Sequence, residues 1–300
     1  MSKIKESCAK ATAPARKYED FMRDRLRWKF PSDDLFLDVE AETAYDKIIE
    51  WLQFFKVNKE TLIFNSVADL PEIEGSALII DKSMASTKYF EQLPEIKNYK
   101  GVIITCDRAL YSVIKHRLPN YTCNLDSSFL CVDFFDRPDV KAVMDKITGV
   151  FAVTTNTLTI RHWHGKRVFF VPYLGCLSLT KALMLKSGMP YMQTGGQVAS
   201  FCWLLAYNLG AKHIGVFGVT SGYDDMSETE YPGVPHKRVK GPYGTVWQDP
   251  IYEWYNNIWL DYIRQASEES VTTYNLMKGG LLYSKYVKDM SLKEFVEKFK

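Results

Sequence analysis

The chain has no apolar run near the roughly 20 residues that a membrane-spanning helix needs, so no membrane span is expected. Its first stretch, with Lys3, Lys5, Lys10, Arg16 and Lys17, has no apolar core of the kind a secretory leader carries. A cytoplasmic location is therefore the expectation. None of the six cysteines (Cys8, Cys106, Cys123, Cys131, Cys176 and Cys202) belongs to a C-x-x-C pair. Most of them sit inside apolar runs, so reduced, buried thiols are expected rather than disulfides or zinc ligands. A net charge of +2, from 38 basic and 36 acidic residues, offers no global footprint for nucleic acid. Internal repeats and low-complexity tracts are also lacking, which argues against a repeat array.

What remains is ordinary globular composition: 300 residues, 46% hydrophobic and 25% charged, with an aromatic content of 14%. This length suits one large α/β domain with an extension, or two small domains. Residues 1–58 are expected to form a helical N-terminal extension. Its Arg23, Arg25, Arg27 and Lys29, beside Trp28 and Phe30, read as a solvated helix face, with a phosphate-facing or membrane-surface patch as the alternative. Ala44, Ile48, Trp51, Leu52 and Phe55 share one side of a helix over 42–55.

From residue 59 strands and helices alternate. Strands are expected at 61–67, 77–80, 101–106, 121–125, 150–154, 167–171, 212–217 and 271–276. Helices are expected at 109–117, 138–147, 198–209, 251–263 and 292–299, with a helix-like or irregular crossover at 90–96. The alternation predicts a Rossmann-like α/β domain over 59–300, a mostly parallel sheet with helices on both faces.

The most informative stretch runs from Tyr191 to Asp225. Thr194-Gly195-Gly196 is a flexible turn with Thr194 as a competent helix N-cap. Val198, Cys202, Leu205, Ala206 and Leu209 then form a helical stripe, closed by Gly210. A helix start bearing two glycines presents free N–H groups and a positive dipole end, suited to phosphate or carboxylate. An ordinary glycine turn with no ligand is the alternative. The strand that follows ends in a polar loop, Thr220 to Asp225, where open α/β sheets place their ligands.

Other strand ends carry polar groups as well: Asp81-Lys82-Ser83, Asp107, Asp126 and Asn156. On one sheet edge they suit a phosphate-bridging cation or ribose hydroxyls; taken singly, each suits a helix N-cap. His162 and His164 lie at strand spacing with no third metal ligand nearby. His236 lies in a long Gly- and Pro-rich segment that reaches Pro250. Such a loop reads as a lid or binding loop, and a histidine on it is a candidate general base, with a charged surface loop that meets no ligand as the alternative. Lys237, Arg238 and Lys240 could meet phosphate charge.

Thr194-Gly-Gly-Gln197-Val-Ala, Leu209-Gly-Ala-Lys-His-Ile-Gly-Val-Phe-Gly218 and Tyr223 together resemble the G-G-x-V-A … L-G-x-K-x-I-x-L-x-G-x-D-x-x-Y signature of the MptE-like superfamily. That superfamily joins 6-hydroxymethylpterin diphosphokinases with motility-associated (Maf) flagellin glycosyltransferases. Gly101-Val-Ile-Ile-Thr-Cys-Asp107-Arg-Ala-Leu, Asn124-Leu-Asp126, Val239-Lys-Gly-Pro-Tyr-Gly-Thr-Val-Trp247 and Tyr274-Asn-Leu-Met-Lys-Gly-Gly-Leu281 extend the resemblance over roughly residues 60–290. Two departures stand out. Asp81-Lys-Ser-Met-Ala-Ser86 replaces a glycine-rich segment, and Thr220 stands where the family usually keeps an acid.

The resemblance implies a transferase. Its Maf branch implies a glycosyltransferase using a nucleotide-activated sugar, with a CMP-linked nonulosonic acid as one candidate, no cofactor, and a protein or glycan acceptor. Its other branch implies a diphosphokinase that needs ATP and Mg2+, with a pterin acceptor and Asp107 and Asp126 as metal ligands. A non-catalytic ligand-binding or scaffold member is the third reading. Under the transferase readings Ser83, Asp107, Asp126, Asn156, Thr194, Gly195, Gly196, Gln197, Thr220 and Tyr223 are expected to bind ligand, with His236 as the catalytic base or acid.

Overall fold

The computed structural model describes residues 45–61, 65–173, 177–226 and 235–300. The expectations for the basic residues before Tyr45, for Cys8 and Cys176, and for 227–234 lie outside the described residues. Eleven strands are found among those described: β1 Ser76–Ile80, β2 Val102–Cys106, β3 Tyr121–Asn124, β4 Thr148–Ala152, β5 Arg167–Pro172, β6 Tyr191–Met192, β7 His213–Phe217, β8 Lys237–Gly241, β9 Gly244–Gln248, β10 Thr272–Asn275 and β11 Val287–Asp289. Nine of them form one parallel sheet in the order β11-β10-β7-β1-β2-β3-β4-β5-β6. β8 and β9 form a separate antiparallel hairpin.

The central strands are apolar because both of their faces are covered. In β1 the alternation sends Ala77 and Ile79 to one core and Leu78 and Ile80 to the other. The longer helices are α1 Tyr45–Thr61, α2 Thr157–His162, α3 Leu177–Ser187, α4 Val198–Asn208, α5 Pro250–Ser267 and α6 Leu292–Lys298. On the first face, α4 packs over β1, β2, β3 and β7, and α5 adds Ile258, Trp259, Tyr262 and Ile263 to the same core. On the second face, α6 packs with the 3-10 segment Met84–Asn98 through Phe295, Leu93 and Ile96.

The chain lays β1 to β6 outward in one direction, then returns to put β7, β10 and β11 on the other side of β1. The order therefore reverses between β1 and β7, and the crevice outside their carboxyl ends is the topological switch point. α4 starts at this same edge and runs back to the amino edge, where Lys212 N donates to Gly75 O just before β7 begins.

Several expectations are corrected. Of the strand expected at 61–67, residues 62–64 lie outside the described residues; of the rest, Thr61 closes α1, Val67 opens a 3-10 turn, and Ser66 makes one isolated bridge to Phe169. The helix expected at 138–147 is two short turns, Pro138–Lys141 and Met144–Lys146. His162 ends α2, so the histidine pair is not on a strand, and His162 Nδ1 lies 2.9 Å from the Leu158 carbonyl oxygen. The segment leading to Pro250 holds the β8–β9 hairpin rather than an irregular loop. β6, β11 and α3 were not anticipated. Cys106, Cys123, Cys131 and Cys202 are buried free thiols, as expected.

α1 is tied to the sheet domain. Phe55 enters the core around β4 and β5. Asn58 is fully buried; its amide donates to Val153 O (3.0 Å) and Thr155 O (2.8 Å), and its carbonyl oxygen accepts from Thr157 Oγ1 (2.8 Å). Replacing it orphans two buried carbonyls and a hydroxyl. Asn58→Ala is expected to lower unfolding free energy by about 2–4 kcal/mol in urea titration; an unchanged midpoint and slope would show that α1 is not coupled to the fold.

Candidate functional site

The residues nominated for the site lie mostly along the carboxyl edge of the sheet. Gly195 (φ +64°) and Gly196 (φ +85°) both occupy the left-handed region before α4. A Cβ on Gly195 would collide with Ser200, and one on Gly196 would strike the Tyr255 ring. The two glycines therefore let the turn close against α4 and α5, apart from any ligand. Thr194 is not the N-cap; Gln197 holds that position and makes no side-chain cap bond. Thr194 Oγ1 instead accepts from Gly196 N (3.3 Å), and Ser200 Oγ donates to Thr194 O (2.6 Å). The Gln193 and Gln197 side-chain nitrogens are buried without a hydrogen-bond partner. Two spare amide donors thus flank the positive end of α4.

At the switch point the β1 and β7 loops are stitched together. Ser83 Oγ is 3.0 Å from both Gly218 O and Thr220 Oγ1, and Ser83 N donates to Gly218 O at 3.1 Å. Gly218 (φ +88°) has no room for a Cβ against the Asp81 backbone. Ser83 and Thr220, both expected to meet ligand, are brought together here and spend hydroxyls on one another. Thr220 Oγ1 also bonds Gly222 O (2.7 Å).

Along the edge, the polar strand ends take different roles. Asp107 is buried; Oδ1 accepts from Arg108 N (2.6 Å) and Oδ2 from Asn124 Nδ2 (2.5 Å). Desolvation dominates and pushes its pKa up from 3.8 to about 7, with the nearby Asp81 charge adding to the rise. It can therefore carry a proton near neutral pH. Asp126 is exposed and accepts from Ser128 N (2.8 Å). Asn156 caps α2 through Leu158 N (2.9 Å) and donates to Ser127 O (2.9 Å). For Asn156 the capping role is the observed one.

His236 is brought to this edge, though not on an open lid. Its side chain is only 2% exposed, and Nε2 lies 4.0 Å from Oδ2 of the fully buried Asp249. Asp249 Oδ1 caps α5 by accepting from Tyr252 N (2.8 Å), while Oδ2 has no hydrogen-bond partner. The Tyr223 ring lies 5.9 Å from the imidazole and 5.4 Å from Tyr252, which lies 6.3 Å from Tyr255 beside Gly196. An aromatic ladder thereby joins His236 to the Gly195 turn. Tyr223 also exchanges backbone hydrogen bonds with Trp247 (2.7 and 2.8 Å), pinning the hairpin to the β7 loop. Asp249 and Tyr255 were missed from sequence. The signal for Asp249 was present: an Asp-Pro pair opening an amphipathic run is a helix-start pattern.

Residues 90–226 match the family model described as 6-hydroxymethylpterin diphosphokinase MptE-like. Among solved structures, the chain is similar to the Maf glycosyltransferase from Magnetospirillum magneticum AMB-1, with a TM-score of 0.57 and 16% identity. The match covers 91% of this chain and 41% of that one, so the chain spans well under half of that protein's length. At this identity the likeness concerns fold: a parallel α/β sheet with helices on both faces. No curated protein sequence matches significantly.

Asp107 makes a checkable pH signature. Between 3.8 and about 7 the folded protein holds a proton that the unfolded chain has released, so this group's contribution to stability falls as pH rises through that window. Asp107→Asn keeps an acceptor for Arg108 N and, after a flip of Asn124, can pair with its unpartnered carbonyl oxygen. The variant is expected to gain on the parent by up to roughly 4 kcal/mol at about pH 8, and the gap should close toward about pH 4. A gap that does not change with pH in paired urea titrations would refute the buried, proton-holding carboxyl.

Proposed function

We propose that this chain, which carries an MptE-like segment over residues 90–226, is a transferase that moves a sugar from a nucleotide-activated donor to an acceptor hydroxyl. The observation that carries this reading is the buried His236–Asp249 pair, joined through Tyr223, Tyr252 and Tyr255 to the glycine turn at the head of α4. The similarity to a Maf glycosyltransferase, which takes in the C-terminal half as well, supports the sugar-transfer branch.

The chemistry asks for two things at once. The acceptor hydroxyl must lose a proton as its oxygen attacks the anomeric carbon, and the phosphate oxygen that leaves must keep the electron pair of the broken bond. His236 would take the proton on Nδ1, the ring nitrogen other than the one facing Asp249, and Asp249 Oδ2, 4.0 Å from Nε2, would stabilise the resulting imidazolium. The N–H groups at the start of α4, with the Gln193 and Gln197 amides, would meet the charge on the departing nucleotide. An imidazole this enclosed reaches an acceptor only where the base of the hairpin gives way, so some motion of β8–β9 belongs to the cycle.

The family model's description favours a second reading, pyrophosphate transfer from ATP to a pterin alcohol. That reading calls for Mg2+, and the nominated donors fit it poorly. Both Asp107 oxygens are engaged and its carboxyl tends to hold a proton, while Asp126 Oδ1 is bonded to Ser128 N.

Two measurements separate the readings. A thermal-shift screen with CMP, CDP, UDP, GDP and ATP, each with and without magnesium, is expected to show a metal-independent shift with CMP; ligand at 100 times its Kd adds about 2.7 kcal/mol. A shift with ATP only in the presence of magnesium would move the assignment to pyrophosphate transfer, and silence from all five would leave a scaffold. In the transfer assay, His236→Ala is expected to lower kcat by about 10²- to 10⁴-fold with melting intact. Transfer unchanged in His236→Ala would remove the base from the mechanism.

A further inference from the structure

We propose that Lys82, Tyr111 and Arg137 form an anion subsite for a phosphoryl group, on the β1–β2 side of the carboxyl edge and separate from the His236 pair. Lys82 lies two residues beyond β1. Tyr111 lies in the helical segment Leu110–Val113 that follows β2, and Arg137 precedes the turn Pro138–Lys141. All three are half-buried.

Three cations surround one phenol. Lys82 Nζ donates to Tyr111 Oη, lies 4.3 Å from the centre of that ring and is 3.5 Å from Ser112 Oγ. The Arg137 guanidinium carbon sits 4.4 Å from the same centroid, and Lys115 Nζ lies 5.8 Å from it. The hydrogen bond from Lys82 is the first cause holding the Tyr111 phenol below its ordinary value.

The carboxylates nearby leave this charge largely uncompensated. Asp139 takes Arg137 Nε at 3.3 Å on an exposed surface, and Asp136 pairs with Lys141. Asp107 is turned toward Arg108 N and Asn124. Among the described residues Lys82 has no carboxylate partner, and the other Arg137 nitrogens have none either. Like charges gathered on one aromatic ring repel one another, and an anion relieves that repulsion.

The donor set also has a shape. Lys82 gives a compact ammonium, Arg137 a planar fork, and Tyr111 an O–H that remains available because Lys82 donates to its oxygen. Donors gathered about one ring from separate elements suit a tetrahedral oxyanion with several exposed oxygens. The role as part of a donor site rests on the sugar-transfer reading, whereas the binding of a phosphoryl group does not. The phosphoryl group can come from the nucleotide donor or from a phosphorylated acceptor.

The test is titration of inorganic pyrophosphate and, separately, CMP into the full chain, followed by calorimetry. Lys82→Ala, Arg137→Ala, their double variant and Tyr111→Phe are compared with Lys146→Ala, an exposed change at the amino edge before β4. Thermal melts confirm that each variant folds. Each cation deletion is expected to weaken pyrophosphate about tenfold, and the double variant about a hundredfold, while Lys146→Ala matches the parent. Pyrophosphate should also raise the midpoint of one tyrosinate absorbance transition, and that transition should vanish in Tyr111→Phe. CMP weakened in parallel would make the nucleotide the source of the phosphate. CMP binding unchanged in the variants would make a phosphorylated acceptor the source. If the parent binds pyrophosphate through these residues yet no nucleotide, the subsite stands and the donor reading falls. Equal pyrophosphate affinity in the parent and the double variant, or none in the parent, overturns the subsite.

Discussion

The burial of α4 governs the rest of the structure. Every residue from Ala199 to Tyr207 is buried, so this helix must be covered on all sides. The sheet covers one side through β1, β2 and β7, and α5 contributes Ile258, Trp259, Tyr262 and Ile263 to the same core. Burying a side chain such as Phe201 or Leu205 is worth roughly 1.5–3 kcal/mol relative to exposure. Trp203 donates to Thr273 Oγ1 (3.0 Å) and Tyr207 to Glu269 (2.8 Å), so the polar tips are satisfied without loosening the core. This close packing explains the two glycines: Tyr255 of α5 leaves no space for a side chain at Gly196, and Ser200 of α4 itself leaves none at Gly195.

From this constraint the carboxyl edge divides into three regions. At the centre, the switch-point crevice is drawn together by Ser83, Gly218 and Thr220. Toward β10, the hairpin and the head of α5 enclose His236 and Asp249. Toward β3, buried Asp107 and the cations about Tyr111 set the local charge. The pairing of an unsatisfied Asp249 oxygen with an imidazole 4.0 Å away is the kind of polar arrangement that folding alone does not require.

Much of this was legible in the sequence, for identifiable reasons. Buried parallel strands read as apolar runs, and β1, β2, β3, β5, β7 and β10 did so. α4 and α5 carried clear helical stripes. What failed was either short or governed by tertiary contacts. β6 has two residues and β11 three, too few for a pattern. β8 and β9 carry exposed charges and glycines, which read as loop until the hairpin is pinned by Tyr223 and Trp247. Thr194 has the chemistry of a cap, yet Gln197 occupies the position because the left-handed glycines delay the helix start. Among the site residues, the convergence of Gly195, Thr220, Tyr223 and His236 could be anticipated only through their order, since the ladder of tyrosines linking them is a property of the folded chain.

The central claim is that one ligand site lies on the carboxyl edge around the head of α4. Hydrogen–deuterium exchange with and without saturating CMP tests it most directly. Slowed exchange confined to the loops after β1 and β7, the turn before α4 and the first turn of α5 is the predicted result. Protection at the amino ends of the strands, or an exchange map unchanged by a nucleotide that binds, would contradict it.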